Sequence, residues 1–336
     1  MKLFGRDLDS EVVVVAEIGV NHEGDLNAAR AIVEAVGVTG ADAIKLQSYT
    51  PARYASSSDP ERLKRVTRFA LDENAHRELA KVAKERGITL FSTAVTEDWV
   101  PFLSAQFPAV KIASGDLTFA PVITAAARSG KPVILSTGCG TLEEIDRAVE
   151  WVKAEVGAAA LPERLVLLHC VAAYPVPIEQ ANVLSVPFLR ERYRVPVGFS
   201  NHVIGPEAIY AAVALGACVI ELHVTDRREG RTFRDHALSM EPAELAALVT
   251  TVRAIKTSLG KSGKTVQASE LALRDAIRKG VVAARDLPAA TSLRDDDLMY
   301  ARPATEFTAL ERPSLVGRKL SVGLKAGELI KRSAVD

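Results

Sequence analysis

Cysteine is scarce: only Cys139, Cys170 and Cys218 occur in a chain of 336 residues. So few, with no C-x-x-C spacing, exclude a disulfide framework and a structural zinc site, and they point to a reducing, cytoplasmic compartment. Surplus charge is lacking too, because 42 lysines and arginines balance 42 aspartates and glutamates. That balance gives no support to nucleic-acid binding through a broad basic surface. Although 48% of residues are hydrophobic, no apolar run approaches the roughly 20 residues a membrane helix needs. Residues 1–7 hold no signal-peptide core. The composition therefore describes a soluble globular protein, long enough for one large domain plus a small one.

Within that length, short β-rich runs alternate with longer amphipathic stretches. The expected strands are 12–16, 41–46, 88–91, 110–112, 132–135, 165–168, 195–199 and 217–221. The helices that follow them are expected near 26–38, 74–86, 98–106, 121–128 and 142–155, in a stretch ending near 192, and at 207–215 and 242–259. Eight such units in about 250 residues predict an α/β fold, a closed (β/α)8 TIM barrel over residues 1–262, in preference to a doubly wound open sheet. The connection from Ser48 to Asp72 far exceeds the usual length of about 2–6 residues. Inside it, Ser56–Glu61 reads as the start of a short lid helix. Residues 263–276 read as a linker and 277–336 as a compact, mostly β module, with β-like runs at 280–284, 298–301 and 319–322 and two similar segments at 287–293 and 324–330. About 60 residues is near the lower size for independent folding, so the module is expected to lean on the barrel or on a partner chain.

In a barrel of this kind, chemistry sits at the C-terminal ends of the strands. Those positions hold Glu17, Asn21 and His22, then Lys45 and Gln47, then Ser92 and Thr93, then Lys111, Ser114 and Asp116. The later strands supply Ser136 and Thr137; His169 and Tyr174; Ser200, Asn201 and His202; and Glu221 and His223, with Asp235 and His236 beyond. Lys45 and Lys111 fall inside strands, where an unpaired charge is costly. They require anionic partners, either a ligand bearing phosphate and carboxylate or barrel carboxylates such as Glu17, Asp42 and Glu221. His202 and His223 close adjacent strands and can converge on one divalent ion, forming an open site that water and substrate complete. His22, His169 and His236 read as satisfied core residues. Gly138-Cys139-Gly140 is too short for a dinucleotide fingerprint.

Seven motifs, in order, then add up to something specific: Ala16–His22, Lys45-Leu46-Gln47, Lys111–Asp116, Leu135–Gly138, His169–Pro175, Gly198–His202 and Asp235–Pro242. Together they resemble the sialic acid synthase family, also called N-acetylneuraminate or nonulosonate synthases. The tail, with Val281–Ala284 and Ala301-Arg302-Pro303, resembles that family's antifreeze-like (β-clip) domain, and the likeness runs nearly the whole chain.

The resemblance implies a transferase that condenses phosphoenolpyruvate with the open-chain aldehyde of an N-acylhexosamine, giving a nine-carbon 2-keto-3-deoxy acid and phosphate. It implies manganese or magnesium on His202 and His223, and Glu17 as the general base that activates water. Lys45, Thr93, Lys111, Ser114, Ser136 and Ser200 would hold phosphoenolpyruvate, while Gln47, Asp116, Tyr174 and Asp235 would face the sugar. Arg302 would reach the partner subunit of a domain-swapped homodimer. Glu17 reads alternatively as a structural partner of Lys45. Departures from the family pattern occur at Ala172, Leu222, Arg231–Arg234 and Ala304. The first bears on the donor; the others lead to the expectation of an acceptor other than plain N-acetylmannosamine, such as a modified or phosphorylated hexosamine. The competing readings are a synthase of shorter 3-deoxy-2-keto acids, a barrel metal hydrolase using His202, His223 and Asp235, and a carbohydrate- or ice-binding scaffold.

Overall fold

A computed structural model describes all 336 residues, which separate into two compact units, Met1–Gly260 and Lys261–Asp336. The first unit is a closed barrel of eight parallel strands: β1 (Val13–Gly19), β2 (Ala43–Ser48), β3 (Thr89–Ala94), β4 (Val110–Ile112), β5 (Val133–Ser136), β6 (Leu165–Cys170), β7 (Val197–Asn201) and β8 (Val219–His223), with β8 closing on β1. All seven residues of β1 are buried, as a strand between a filled barrel interior and an outer helical layer must be. That layer consists of α1 (Leu26–Gly37), α2 (Glu73–Glu85), α3 (Val100–Gln106), α4 (Ala120–Arg128), α5 (Leu142–Val156), α6 (Ser185–Tyr193), α7 (Glu207–Ala214) and α8 (Pro242–Ser258).

Local chemistry sets several helix starts. Asp25 caps α1 by accepting from the amides of Asn27 and Ala28, and Asp72 caps α2 through the Ala75 amide. Thr141 and Glu144 form a reciprocal capping box at α5, which satisfies two amides that the helix itself cannot.

Strands β2, β7 and β8 run about two residues further toward their C-terminal ends than apolar periodicity predicts. Their last residues are polar, so an apolar pattern stops short of them, while the backbone ladder does not. Gln47, Ser200, Glu221 and His223 therefore sit on rigid strand, not on loop. The connection after β2 forms two helices, Pro51–Tyr54 and Pro60–Phe69. The second starts at the expected place but runs for ten residues, longer than the short helix predicted. Tyr49, Ala55, Val66 and Val95 give this lid a small core of its own. An N-terminal hairpin, Lys2–Leu3 with Arg6–Asp7, was outside the sequence expectation because two-residue strands leave no periodicity. It seats Phe4 on Phe91 of β3, ring centroids 4.7 Å apart, at the N-terminal end of the barrel.

In the second unit, Gly280–Ala283 pairs antiparallel with Leu298–Ala301. Val281, Leu287, Leu298, Phe307 and Ile330 help form its core. The two similar segments meet: Leu287 and Leu324 exchange both backbone hydrogen bonds at 2.8 Å. Lys319–Val322, expected to be a β-like run, does not form a strand and is held only by isolated bridges, Ser292 to Lys319 and Leu320 to Val335. Residues 263–276, expected to be a plain linker, contain the helical turn Ala268–Leu271 and the start of Arg274–Ile277.

Candidate active site

Strand register alone brings much of the polar set together. Glu17 lies opposite Lys45 and, on its other side, opposite His223. Thr93 faces Lys111 across β3 and β4, and Ser200 faces Glu221 across β7 and β8. A register shift between Glu17 and Gly19 bends the end of β1, a device that re-aims a side chain. Gly19 is itself required there. Its φ is +58°, and a Cβ would lie 3.4 Å from Glu17 Oε1 and 3.5 Å from His223 Cε1, so a side chain would be strained and would fill the site.

At the centre are four buried charges. The Lys45 ammonium lies against Glu17 Oε2 and donates to Thr93 Oγ1 at 2.8 Å. Lys111 donates to Ser136 Oγ at 2.7 Å and to the Ile112 carbonyl at 2.9 Å. Glu221 stands between the two lysines, 3.8 Å from Lys45 and 3.9 Å from Lys111, and accepts from Ser200 at 3.0 Å. Gln47 donates to Glu17 Oε1 at 3.1 Å. The lysines thus have the carboxylate partners that one sequence reading required, yet Glu221 Oε2 still receives no hydrogen bond.

The environment separates the two carboxyls. Burial raises the pKa of Glu17 more than Lys45 lowers it, and the nearby Glu221 charge adds to the rise. Burial also pushes Glu221 upward, but Lys111 and Lys45 together outweigh it and hold the group below its ordinary range. Burial lowers the Lys111 ammonium pKa against the pull of Glu221. Two carboxyls pushed apart in this way suit different roles, one able to take a proton and one remaining a fixed charge. Sequence reading placed Glu221 at a strand end and as a barrel carboxylate but gave it no role in the reaction; the Glu221-Leu222-His223 alternation turns positions 221 and 223 to the same strand face. Leu222 faces the other way into the hydrophobic core, which removes it from the residues bearing on the acceptor.

The histidines converge as expected, with ring centroids of His202 and His223 5.4 Å apart. His202 directs Nδ1 at the Val171 carbonyl, 2.9 Å away, so its neutral ring carries the lone pair on Nε2. Burial, then the neighbouring His202, pushes His223 down to about 3, and its Nδ1 is buried without a partner. Both rings are therefore neutral, the form that binds a metal. No group of three His, Cys, Asp or Glu side chains converges to hold an ion, so any ion here would draw its remaining ligands from water or substrate. Cys170 lies 3.8 Å from His202 Nδ1, a neighbour that the sequence did not suggest.

The other predicted residues surround this centre unevenly. Tyr174 packs on His202 with centroids 4.1 Å apart, and the Arg234 guanidinium lies 5.5 Å over the Tyr174 ring. Asp235 is held by Arg234 at 3.1 Å. Ser114 Oγ accepts from the Gly138 amide at 3.0 Å. Asp116, raised to about 6 by burial and pulled back only by Lys111, lies beyond β4. Arg302 belongs to the second unit, where it donates to the Ile277 carbonyl at 2.6 Å. His22 and His169 are core residues as expected, His22 Nδ1 accepting from the Gly24 amide and His169 contacting the Ala181 carbonyl. His236 pairs with Thr225 through Nδ1, but its buried Nε2 has no hydrogen bond and faces Glu23 at 3.5 Å.

Fold and site together define a (β/α)8-barrel enzyme with a small C-terminal β unit. The chain belongs to the NeuB family, whose model matches residues 32–264, and it carries a SAF domain at 278–336. It is 34% identical to the N,N'-diacetyllegionaminic acid synthase of Legionella pneumophila over 328 residues, covering 94% of this chain and 92% of that protein. It is also 34% identical to the Campylobacter jejuni protein of the same name, over 96% of this chain and 99% of that one. Among solved structures, the sialic acid synthetase of Leptospira borgpetersenii in complex with citrate matches at a TM-score of 0.73 and 33% identity, covering 80% of this chain and 92% of that chain.

Proposed function

We propose that the protein condenses phosphoenolpyruvate with the open-chain aldehyde of an N-acylated hexosamine, releasing phosphate and a nine-carbon 2-keto-3-deoxy acid. The observation that carries this reading is the buried lysine–carboxylate centre, in which Glu17 and Glu221 are driven to opposite protonation preferences beside Lys45 and Lys111. The hydrogen-bonded pairs Lys45–Thr93 and Lys111–Ser136 would exchange these contacts for phosphate and carboxylate oxygens of the donor, with Ser114 and Ser200 beside them. Their positive charge then offsets the phosphate as it leaves.

Two bonds must form. The methylene carbon of phosphoenolpyruvate attacks the aldehyde carbon, whose oxygen takes up a proton to become a hydroxyl, and water adds at the carbon that bears phosphate; the carbon–oxygen bond to phosphate then breaks as this adduct collapses to the ketone, its hydroxyl proton leaving with phosphate. Glu17 takes the proton from that water, which its raised pKa equips it to hold. Glu221, kept ionised by both lysines, stabilises the positive charge that develops at the same carbon. His202 and His223 would hold manganese or magnesium, and their neutral rings and open surroundings fit one; the ion, when bound, supplies polarisation of the aldehyde oxygen.

Gln47, Asp116, Tyr174 and Asp235 would contact the sugar. Arg234 over Tyr174 supports an acceptor other than plain N-acetylmannosamine, and the two relatives named for diacetyllegionaminic acid favour a diacetamido hexosamine. Arg302 is the residue that a second copy would contribute in a domain-swapped homodimer. Mass spectrometry of products from phosphoenolpyruvate and a panel of hexosamines tests the whole reading. The expected result is a nine-carbon keto acid, formed best from a modified sugar. Best turnover of N-acetylmannosamine would overturn the acceptor assignment, and phosphate release without any aldehyde would overturn the reaction.

A further inference from the structure

One cavity of the barrel unit lies away from the mouth just described. It lies at the opposite, N-terminal end, is open to solvent on one side, has a volume of about 790 Å³, and is lined by the starts of β7 and β8 and the last turns of α6 and α8. A volume of that order accommodates a ligand of several hundred daltons.

Three basic side chains from two helices reach this chamber: Arg190 and Arg194 at the end of α6, and Lys256 at the end of α8. None forms an ion pair. Arg190 Nη1 donates only to the Gly216 carbonyl at 3.2 Å, and Lys256 approaches only the Asp9 carbonyl, at 3.5 Å. The Arg190 head lies so close over Gly216 that a Cβ there would be 2.0 Å from Nη1, so the turn is shaped to admit the guanidinium. Arg190 and Lys256 also converge on one wall residue, since both draw down the pKa of the buried Cys218 thiol against the rise caused by burial. Two of the three wall carboxylates, Asp9 and Glu163, face the Met1 amine at 4.0 and 3.3 Å. Glu191 is the third. Cations at helix C-termini complement the helix dipole, but that role does not require residues from two helices to share one chamber. Proline and valine side chains, including Pro162, Pro187, Pro196 and Val195, give the same chamber apolar walls.

We propose that this chamber binds a phosphorylated small molecule of nucleotide size, with Arg190, Arg194 and Lys256 holding the phosphate and the apolar walls holding its body. Guanidinium groups match phosphate oxygens two at a time. The proposal is independent of the reaction assigned to the other end of the barrel.

Isothermal titration of the full chain with AMP as the probe tests it, with inorganic phosphate as a parallel arm. The expected result is saturable binding of one AMP per chain, with Kd of about 1 mM or lower. It should weaken at least about tenfold in Arg190→Ala/Arg194→Ala, the loss expected when charge-assisted contacts of roughly 1.5–3 kcal/mol are removed. Lys256→Gln, on a separate helix, should weaken it similarly, while Lys111→Met at the catalytic end should leave it unchanged. Melting temperatures of the variants report folding, and a purely helix-capping role would shift them without changing AMP affinity, which would overturn the proposal. Absence of saturation, or loss of AMP binding in Lys111→Met, would do the same. Inorganic phosphate binding as tightly as AMP would overturn the nucleotide-sized ligand.

Discussion

Each end of the barrel carries a cluster of opposite charges, and the two clusters are built differently. At the N-terminal end, Asp42 accepts from Arg6 at 2.8 Å, from Arg253 at 3.1 Å and from the Val14 amide at 2.9 Å. Arg6 donates further to Glu11 at 2.7 Å. Both guanidinium side chains keep contact with water, at 31% and 39% exposure. That cluster ties the N-terminal hairpin and α8 to the start of the barrel. At the C-terminal end, Lys45 and Lys111 are 4% and 2% exposed, and Glu221 Oε2, Asn21 Oδ1 and His223 Nδ1 remain without hydrogen bonds. Removing charges from water costs several kcal/mol each, and well-packed apolar residues would often be more stable. The half-hydrated cluster, in which both Asp42 oxygens are hydrogen-bonded although Arg253 Nε is not, stabilises the fold. The fully buried one, with its unsatisfied atoms, is what the proposed donor and ion would complete.

The sharpest way to break that contrast is to disable the catalytic end. Chelation should abolish turnover, and manganese should restore it in the wild type but not in His202→Ala, read as phosphate release. Glu17→Gln should lower kcat by about a thousandfold, in the range for loss of a general base, while calorimetry still detects phosphoenolpyruvate binding. Near-normal turnover would instead make Glu17 a structural partner of Lys45. Lys111→Met should reduce kcat/KM for phosphoenolpyruvate by about a hundredfold, the equivalent of about 2–3 kcal/mol for a charge-assisted contact.

Smaller effects test the rim and the opposite end. Burial raises Asp116 to about 6, so lowering the pH through 6 protonates it and removes the carboxylate acceptor it is proposed to offer the sugar. KM for the acceptor should rise about tenfold between pH 7 and pH 5, following the ionised fraction of one such group. The same titration in Asp116→Asn should be flat; a profile identical to wild type would remove Asp116 from the acceptor site. Arg6→Ala should leave kcat within about twofold but cost about 1–2 kcal/mol in urea unfolding, since one charged donor is lost at a partly hydrated position. A larger kinetic than stability effect would erase the distinction between the two ends.

The alternation of apolar runs and amphipathic stretches was enough to read the closed barrel, because eight buried parallel strands require it. The same alternation could not reveal the Lys2–Asp7 hairpin or the bridges around Lys319, whose segments are too short to show a period. Polar strand ends such as Ser200 and His223 were read as positions following the strands, because an apolar pattern stops before the ladder does.

The residue types at the mouth, two lysines, paired histidines and several hydroxyls, were legible one strand at a time, and their ordered motifs were enough for a family resemblance. Who partners whom was not legible, because those contacts depend on neighbouring registers and on the bend at Gly19. Only closure of the barrel placed Glu221 between Lys45 and Lys111, turned Leu222 into the core and divided Glu17 from Glu221 electrostatically. Chain order sets which groups the strands carry. Pairing, burial and distance, which arise when distant strands meet, set what charge each group holds and what it can do.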